Sequence, residues 1–448
     1  MATKILIPPE LWKTKMIDIP KNFIESLSKV LSAPIEEKVE DFQDDDFVDS
    51  IFESIVGVSR GDFNPKQELN GDKSLTHPQR KDSDYLPGQA KHATTSPDVH
   101  YGDGGIKSAN EKVDSILADK SKNHIYKWAN KYTRKVHGRG ISDQIPEVKS
   151  SLHKQAAIAA AYNLAAQDHP EYKKRVFEAY KSQRPDIIKE TSAHDYDSLR
   201  VASYSKMSGQ TEKQLHHIPL DMKFSTSDGS YKNSREMLRD VHLHGHLMTF
   251  AGGTHQEPSM VVVNKKTGLN PNETFRVVHD VFGHAIHGNQ FGQQGEETAW
   301  AVHRQMYSPA GQAAMTAETR GQNSYVVYGH KNIDRQVEMR SLDTQKKEAI
   351  AKGQPYHHLD EKKSKIGASW EFAPNKSVLL PPEMLHPDFN GEMPHYLKDI
   401  TKDITDKPTP DQMKKLAIHH NTDSDGNLNR KSSENDLKKL HTLYGNGQ

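Results

Sequence analysis

The chain contains no cysteine. That absence excludes disulfides, thiolate zinc sites, iron–sulfur clusters and cysteine nucleophiles, so any metal must be held by histidine and carboxylates. Hydrophobic residues make up only 34% of the 448 positions and aromatics 7%, and mean hydropathy is −0.84. A chain this polar cannot place every residue around a dense core, which predicts one core plus solvated segments. No run nears the ~20 apolar residues of a membrane span, so no membrane association is expected. The opening residues, Met1 to Ile7 before Pro8-Pro9, are too short and polar for a signal peptide, which predicts a cytoplasmic protein or one packaged into a particle assembled there. Lys+Arg and Asp+Glu both number 60; with no excess of either sign, no global field points to nucleic acid. Histidine is in excess, at 26 residues, most of them read as neutral polar surface.

Composition shifts divide the chain. Residues 1–58 carry two short amphipathic patterns, Phe23, Ile24, Leu27, Val30, Leu31 and Phe47, Val48, Ile51, Phe52, Ile55. Helices with so little partner surface suit a docking segment, or a mini-bundle packed on the main domain. Residues 59–112 are rich in Gly, Pro, Asp, Ser, Lys and His and read as a disordered linker. Residues 113–390 form the expected domain: mainly α, with a small β element around 218–263 in which Met260 to Val263 is the best strand candidate. Ala156 to Ala166 is an alanine-rich helical run, and further helices are expected at 295–306 and 309–319. Residues 391–448 read as a polar tail with helical patterns around Met413–Ile418 and Leu437–Leu443, giving a helical domain with flexible arms at both ends. Within the tail, residues 421–432 place oxygens and a glycine much as a calcium loop does, but Ser432 stands where a bidentate Glu is needed. An Asn- and Asp-rich turn is the preferred reading.

One stretch carries more chemistry than any other: His279-Asp280-Val281-Phe282-Gly283-His284. On a regular helix, positions i and i+5 diverge by roughly 140°, so the two imidazoles cannot share a metal as those of H-E-x-x-H do. Gly283 offers a way out, because without a Cβ the turn can distort and swing His284 back. Asn270-Pro271-Asn272-Glu273 opens this helix with a cap and a first-turn proline. Two imidazoles need an anionic third ligand, and Glu296, Glu297 and Glu318 are the candidates. Glu296, Trp300 and His303 share one helix face. Asp280 is either an orienting partner for an imidazole or a surface charge. Arg320 either clamps a carboxylate or phosphate or pairs with Glu296 or Glu297. The alternate histidines of His242-Leu243-His244-Gly245-His246 would converge in a strand, and His255 and Glu257 lie in a loop that could line the same cleft.

The pattern H-D-x-x-G-H resembles the iron motif of the aromatic amino-acid hydroxylases, whose two histidines and a later glutamate bind non-haem Fe(II). Carried over by position, His279 and His284 match the histidines and Glu318 is the best match for the glutamate. The resemblance covers a few dozen residues, and no pterin or aromatic-substrate segment has a counterpart. A second resemblance runs from about residue 145 to 390. F-R-V-V-H-D-V-F-G-H-A, F-G-x-x-G-E-E-T-A-W, M-Y-S-P-A and E-T-R-G-Q-N-S-Y are similar to an uncharacterised domain of tailed-bacteriophage proteins, some head-associated or delivered with the DNA. It implies a phage or prophage origin, a place in the virion or host cytoplasm, and other virion proteins as partners of residues 1–58.

Three readings follow. The first is a non-haem Fe(II) oxygenase with ligands His279, His284 and Glu318, in which Glu296, Glu297, His303 and Arg320 contribute to chemistry on a small-molecule or peptide substrate. The second is a Zn²⁺ hydrolase with Glu297 as base. The third is a virion protein without activity.

Overall fold

The alanine-rich run explains the centre of the molecule. In the computed structural model it belongs to a helix, Leu152–Ala166, in which every residue except His153 is buried. Alanine loses no side-chain entropy and lets neighbours approach from every side, so a helix that is apolar all round lies inside. The structure describes Lys73–Thr76 and residues 105–445, apart from short stretches at 143–147, 226–230, 251–254 and 423–427 and isolated positions. The docking segment 1–58 and most of the linker 59–112 lie outside the described residues.

Helices α1 (Gly105–Ala118) and α2 (His124–His137) precede the central α3 (Leu152–Ala166). Then come α4 (Pro170–Gln183), α5 (Pro185–Thr191) and the 20-residue α6 (Tyr196–Leu215), which Asp195 opens with a capping box. Strands β1 (Lys73–Thr76), β2 (Asp221–Ser225) and β3 (His246–Phe250) form one sheet in that order. β1 runs antiparallel to β2, with Lys73 opposite Phe224, and β2 runs parallel to β3, with Asp221 opposite His246. Between β2 and β3, α7 (Ser234–Arg239) runs into a π-helical turn at Asp240–His244.

α8 (Pro271–His279) likewise passes into a π turn, Asp280–Ala285. α9 (Gln293–His303) and α10 (Pro309–Thr316) follow, and α10 continues through a third π turn, Ala317–Gly321, into α11 (Gln322–Tyr328). α12 (His330–Ala351), α13 (His357–Ala368), α14 (Pro410–His420) and α15 (Arg430–Leu443) complete the fold. It is mainly α with a small β element, as the periodicities predict. α6 packs against α8 and α10, and α3 against α11, around one hydrophobic core.

Three details differ from the sequence expectation. Met260 to Val263 is not a strand: Pro258–Met260 is a 3₁₀ turn, Met260 is buried, and Val261 is 37% exposed. Strand Lys73–Thr76 and the first part of α1, residues 105–112, lie inside the stretch read as linker. The segment beyond residue 390 is no flexible arm: its helical patterns form α14 and α15, and Met413, Leu416, Ala417, Leu440 and, just past α15, Tyr444 are buried in the common core. Its apolar residues are one per turn in a polar background, too sparse to register in composition, and the compact unit spans Pro65–Gln448. Of the loop at 421–432, positions 423–427 lie outside the described residues. Its ends are tied by a Thr422–Leu428 bridge, and Ser432 sits in the first turn of α15, its N–H capped by Asn429.

Candidate metal centre

The helix that carries the motif starts where its cap residues place it. The side chain of Asn270 accepts from the N–H of Glu273, Glu273 reaches back to the N–H of Asn270, and Pro271 takes the first helical position. The regular helix ends at His279, and the next residues form the π turn. There the backbone bonds run from residue i+5 to residue i, as from Ile286 N–H to Val281 O at 3.0 Å. Residue i+5 then lies beneath residue i, as i+4 does in an α-helix. The five-residue spacing that a regular helix forbids therefore brings His279 and His284 together, their ring centroids 5.0 Å apart and nearly perpendicular.

Gly283 is required by close approach. A Cβ there would lie 2.9 Å from His279 Nδ1, 3.0 Å from His279 Cε1 and 3.3 Å from the Cβ of Ala299 on α9. The π turn and helix end leave carbonyls without helical donors, and side chains, one of them nearby and two distant, supply them. Asn289 Nδ2 donates to Gly283 O at 2.7 Å, His242 Nε2 to Ala285 O at 2.8 Å, and Asn123 Nδ2 to Ile286 O at 2.8 Å.

The third group is Glu296, in the first turn of α9. Its Oε2 lies 3.6 Å from His279 Nε2 and 3.4 Å from His284 Nε2. One ligand atom from each of the three residues falls within 4.8 Å of the others. With metal–ligand bonds of roughly 2.0–2.2 Å, donors at tetrahedral or octahedral angles stand about 3–3.5 Å apart, so the trio needs only small adjustments to hold one ion. His279 Nε2 is buried and makes no hydrogen bond of ordinary length.

The electrostatics suit a cation. Burial pushes the Glu296 carboxyl up, but His284 and the close approach of both imidazoles outweigh it and hold it at about 2. Burial lowers His284 too, yet Glu296 and Asp280 raise it above the usual histidine range. His279 is lowered, burial outweighing its contact with Glu296. Asp280 is half-buried beside the site, and burial pushes it up to about 7 against the pull of His284. His284 Nδ1 faces Asn289 O at 3.2 Å; a carbonyl only accepts, so Nδ1 carries the proton and Nε2 is left as the ligand atom.

The remaining predicted site residues lie elsewhere. Glu318, the carboxylate matched by the resemblance, is not the third group here. It lies in the π turn Ala317–Gly321, where Oε1 accepts from Tyr204 OH (2.7 Å) and His255 Nε2 (2.8 Å) and Oε2 from Gln322 (2.7 Å). His255 is thereby committed to Glu318, and Glu257 to Arg200 and Ser377, so neither joins the trio. Glu297 and Arg320 pair with each other at 2.9 Å, fully buried, and Arg320 stacks 4.2 Å over Trp300 while donating to Met384 O and His386 O. Glu297 follows Glu296 on the helix and so faces about 100° away, into the core. The three histidines at 242–246 do not share a strand: His242 and His244 lie in the π turn Asp240–His244, and only His246 is in β3, its Nδ1 2.6 Å from Asp240 Oδ2. His303 lies beside His279, Nδ1 to Nδ1 at 3.2 Å. Gln214, Phe275 and Asn289 also contact the trio or its supports and carry no sequence signal of their own. Comparison with family models, with curated proteins and with solved structures finds no match to this chain.

Proposed function

We propose that His279, His284 and Glu296 hold a single divalent metal, and that the domain is a non-haem Fe(II) oxygenase whose substrate is a small molecule or peptide. The observation that carries this is the convergence of three ligand atoms within 4.8 Å, one of them a buried imidazole nitrogen without a hydrogen bond. A triad of two imidazoles and one carboxylate leaves coordination positions open, and ferrous iron held that way supplies dioxygen chemistry. Around it the chain's own residues have defined tasks. Glu296 supplies the negative charge, Asn289 orients His284, and Phe291 stands edge-on to His284 at 5.1 Å and 39% exposed, an apolar flank for a bound molecule. The motifs that resemble tailed-phage proteins motivate the further proposal of a virion or host-cytoplasm setting, with residues 1–58 docking to other virion proteins.

The test is elemental analysis of protein purified without added metal and again after anaerobic Fe(II) loading. One metal per chain is expected in the wild type and in Glu318→Ala, with loss in His279→Ala, His284→Ala and Glu296→Ala. No stoichiometric metal in either preparation would overturn the site and favour a virion protein without activity. Stoichiometric zinc, with no oxygen uptake after iron loading, would favour a hydrolase.

A further inference from the structure

Resting on that reading of the trio, we infer that Gln214 and His303 form a relay that fixes which nitrogen of His279 is presented to the metal. The chain of contacts has a single consistent direction. Gln214 Nε2 donates to Met306 O at 3.3 Å, which turns Gln214 Oε1 toward His303 Nε2 at 2.7 Å. An amide oxygen only accepts, so His303 carries its proton on Nε2. His303 is fully buried, and a neutral imidazole protonated on Nε2 has a lone pair on Nδ1. That lone pair faces His279 Nδ1 at 3.2 Å. His279 must then be protonated on Nδ1, which leaves the Nε2 lone pair directed at Glu296 and its partner His284.

Packing holds the relay in register. Phe275, one turn before His279 on α8, stacks on both rings, with centroids 5.7 Å from His279 and 5.9 Å from His303 and interplanar angles of 18° and 16°. Gly283 closes the other side of His279. Without the relay, Glu296 would select the opposite tautomer, because a carboxylate beside Nε2 favours a proton there. The relay thus works against Glu296 in the metal-free protein. His303 and Gln214 are positioning residues: neither reaches the trio's ligand atoms, and both act through His279. An imidazole orienting another imidazole takes the part that a carboxylate or backbone carbonyl plays at most metal-ligating histidines.

The decisive measurement is made on the metal-free, full-length protein with ¹⁵N-labelled histidine, using long-range proton–nitrogen correlation near neutral pH. His279 should carry its proton on Nδ1 and His303 on Nε2. A proton on His279 Nε2 in the wild type would overturn the relay, whatever the protein does with metal. Gln214→Leu removes the acceptor without touching His279. It should release the His303 tautomer, move the His279 proton toward Nε2, and weaken Co(II) affinity about tenfold. Gln214→Glu keeps an acceptor and should retain the wild-type tautomers and an affinity close to wild type. Wild-type tautomers and affinity in Gln214→Leu would also overturn the proposal. If the wild type binds no Co(II), the metal reading falls, while the tautomer spectrum still decides the relay.

Discussion

Gly283 and His279 are in contact: a side chain of even one carbon on the first would press on Nδ1 of the second, at 2.9 Å. A glycine that sequence reading values for backbone freedom is required here for space.

Gly283→Ala should therefore destabilise the fold by about 1–3 kcal/mol through overpacking and weaken metal binding by displacing His279. Gly292→Ala makes the control. Its φ of −77° suits any residue, an added Cβ meets nothing within 4 Å, and the change should stay within about 0.5 kcal/mol. Urea denaturation together with Co(II) titration checks both; equal stability and affinity for the two variants would contradict the packing argument.

Glu318 and Glu296 should separate stability from metal binding. Glu318→Ala leaves the His255 Nε2–H without its acceptor, worth about 1–3 kcal/mol, while the Tyr204 hydroxyl can turn to Lys376 O at 2.9 Å, and folded protein should keep its metal. Glu296→Ala should lose metal and also some stability near neutral pH, because the fold holds this carboxylate down at about 2 and so favours its charged form. Melting temperature and metal content, measured on the same samples, show whether the two effects divide this way.

Arg320→Met should cost about 3–5 kcal/mol, because it leaves Glu297 buried without its counter-charge. The double variant Arg320→Met/Glu297→Leu should be more stable than Arg320→Met alone. A double variant that is less stable than either single one would show that the pair is not the coupled unit described.

Acid should act through His242. Burial holds it down to about 4 from an ordinary value near 6.5, so the unfolded chain takes up a proton that the folded one refuses. Its neutral state is harmless above pH 6.5. Stability should fall as pH drops from there toward 4, by about 3 kcal/mol from this residue. His242→Gln keeps a donor for Ala285 O and cannot titrate, so its stability curve across that window should be flatter than the wild type's. Parallel curves would assign the acid sensitivity to other groups.

Much of the fold was legible because local signals and tertiary packing agree. Asn270-Pro271 caps the helix it announces, and the apolar run at 156–166 sits in the interior. The site was legible in part. His279, His284 and Gly283 point to one another within six residues of chain, and Glu296 stood among the candidate carboxylates. Choosing among the carboxylates was beyond the sequence. Glu296 and Glu297 are neighbours whose helix phase depends on where α9 starts, and Glu318 satisfies a spacing while a π turn directs it to His255 and Tyr204. The supports were illegible because Gln214 and Asn123 act across long chain separations, and Asn289, though near in sequence, acts through bonds that only the π turn exposes. The helical patterns at Met413–Ile418 and Leu437–Leu443 were legible as α14 and α15, but their packing on the core was not, because each covers only one narrow apolar face.

The π turn at Asp280–Ala285 is, in chain terms, one residue more than an ordinary helix would use for the same rise. Removing a single residue between His279 and His284 would let the helix run on regularly, with the histidines four apart on the same face and the chain before and after little moved. The five-residue motif and the familiar four-residue one are thus separated by a single codon.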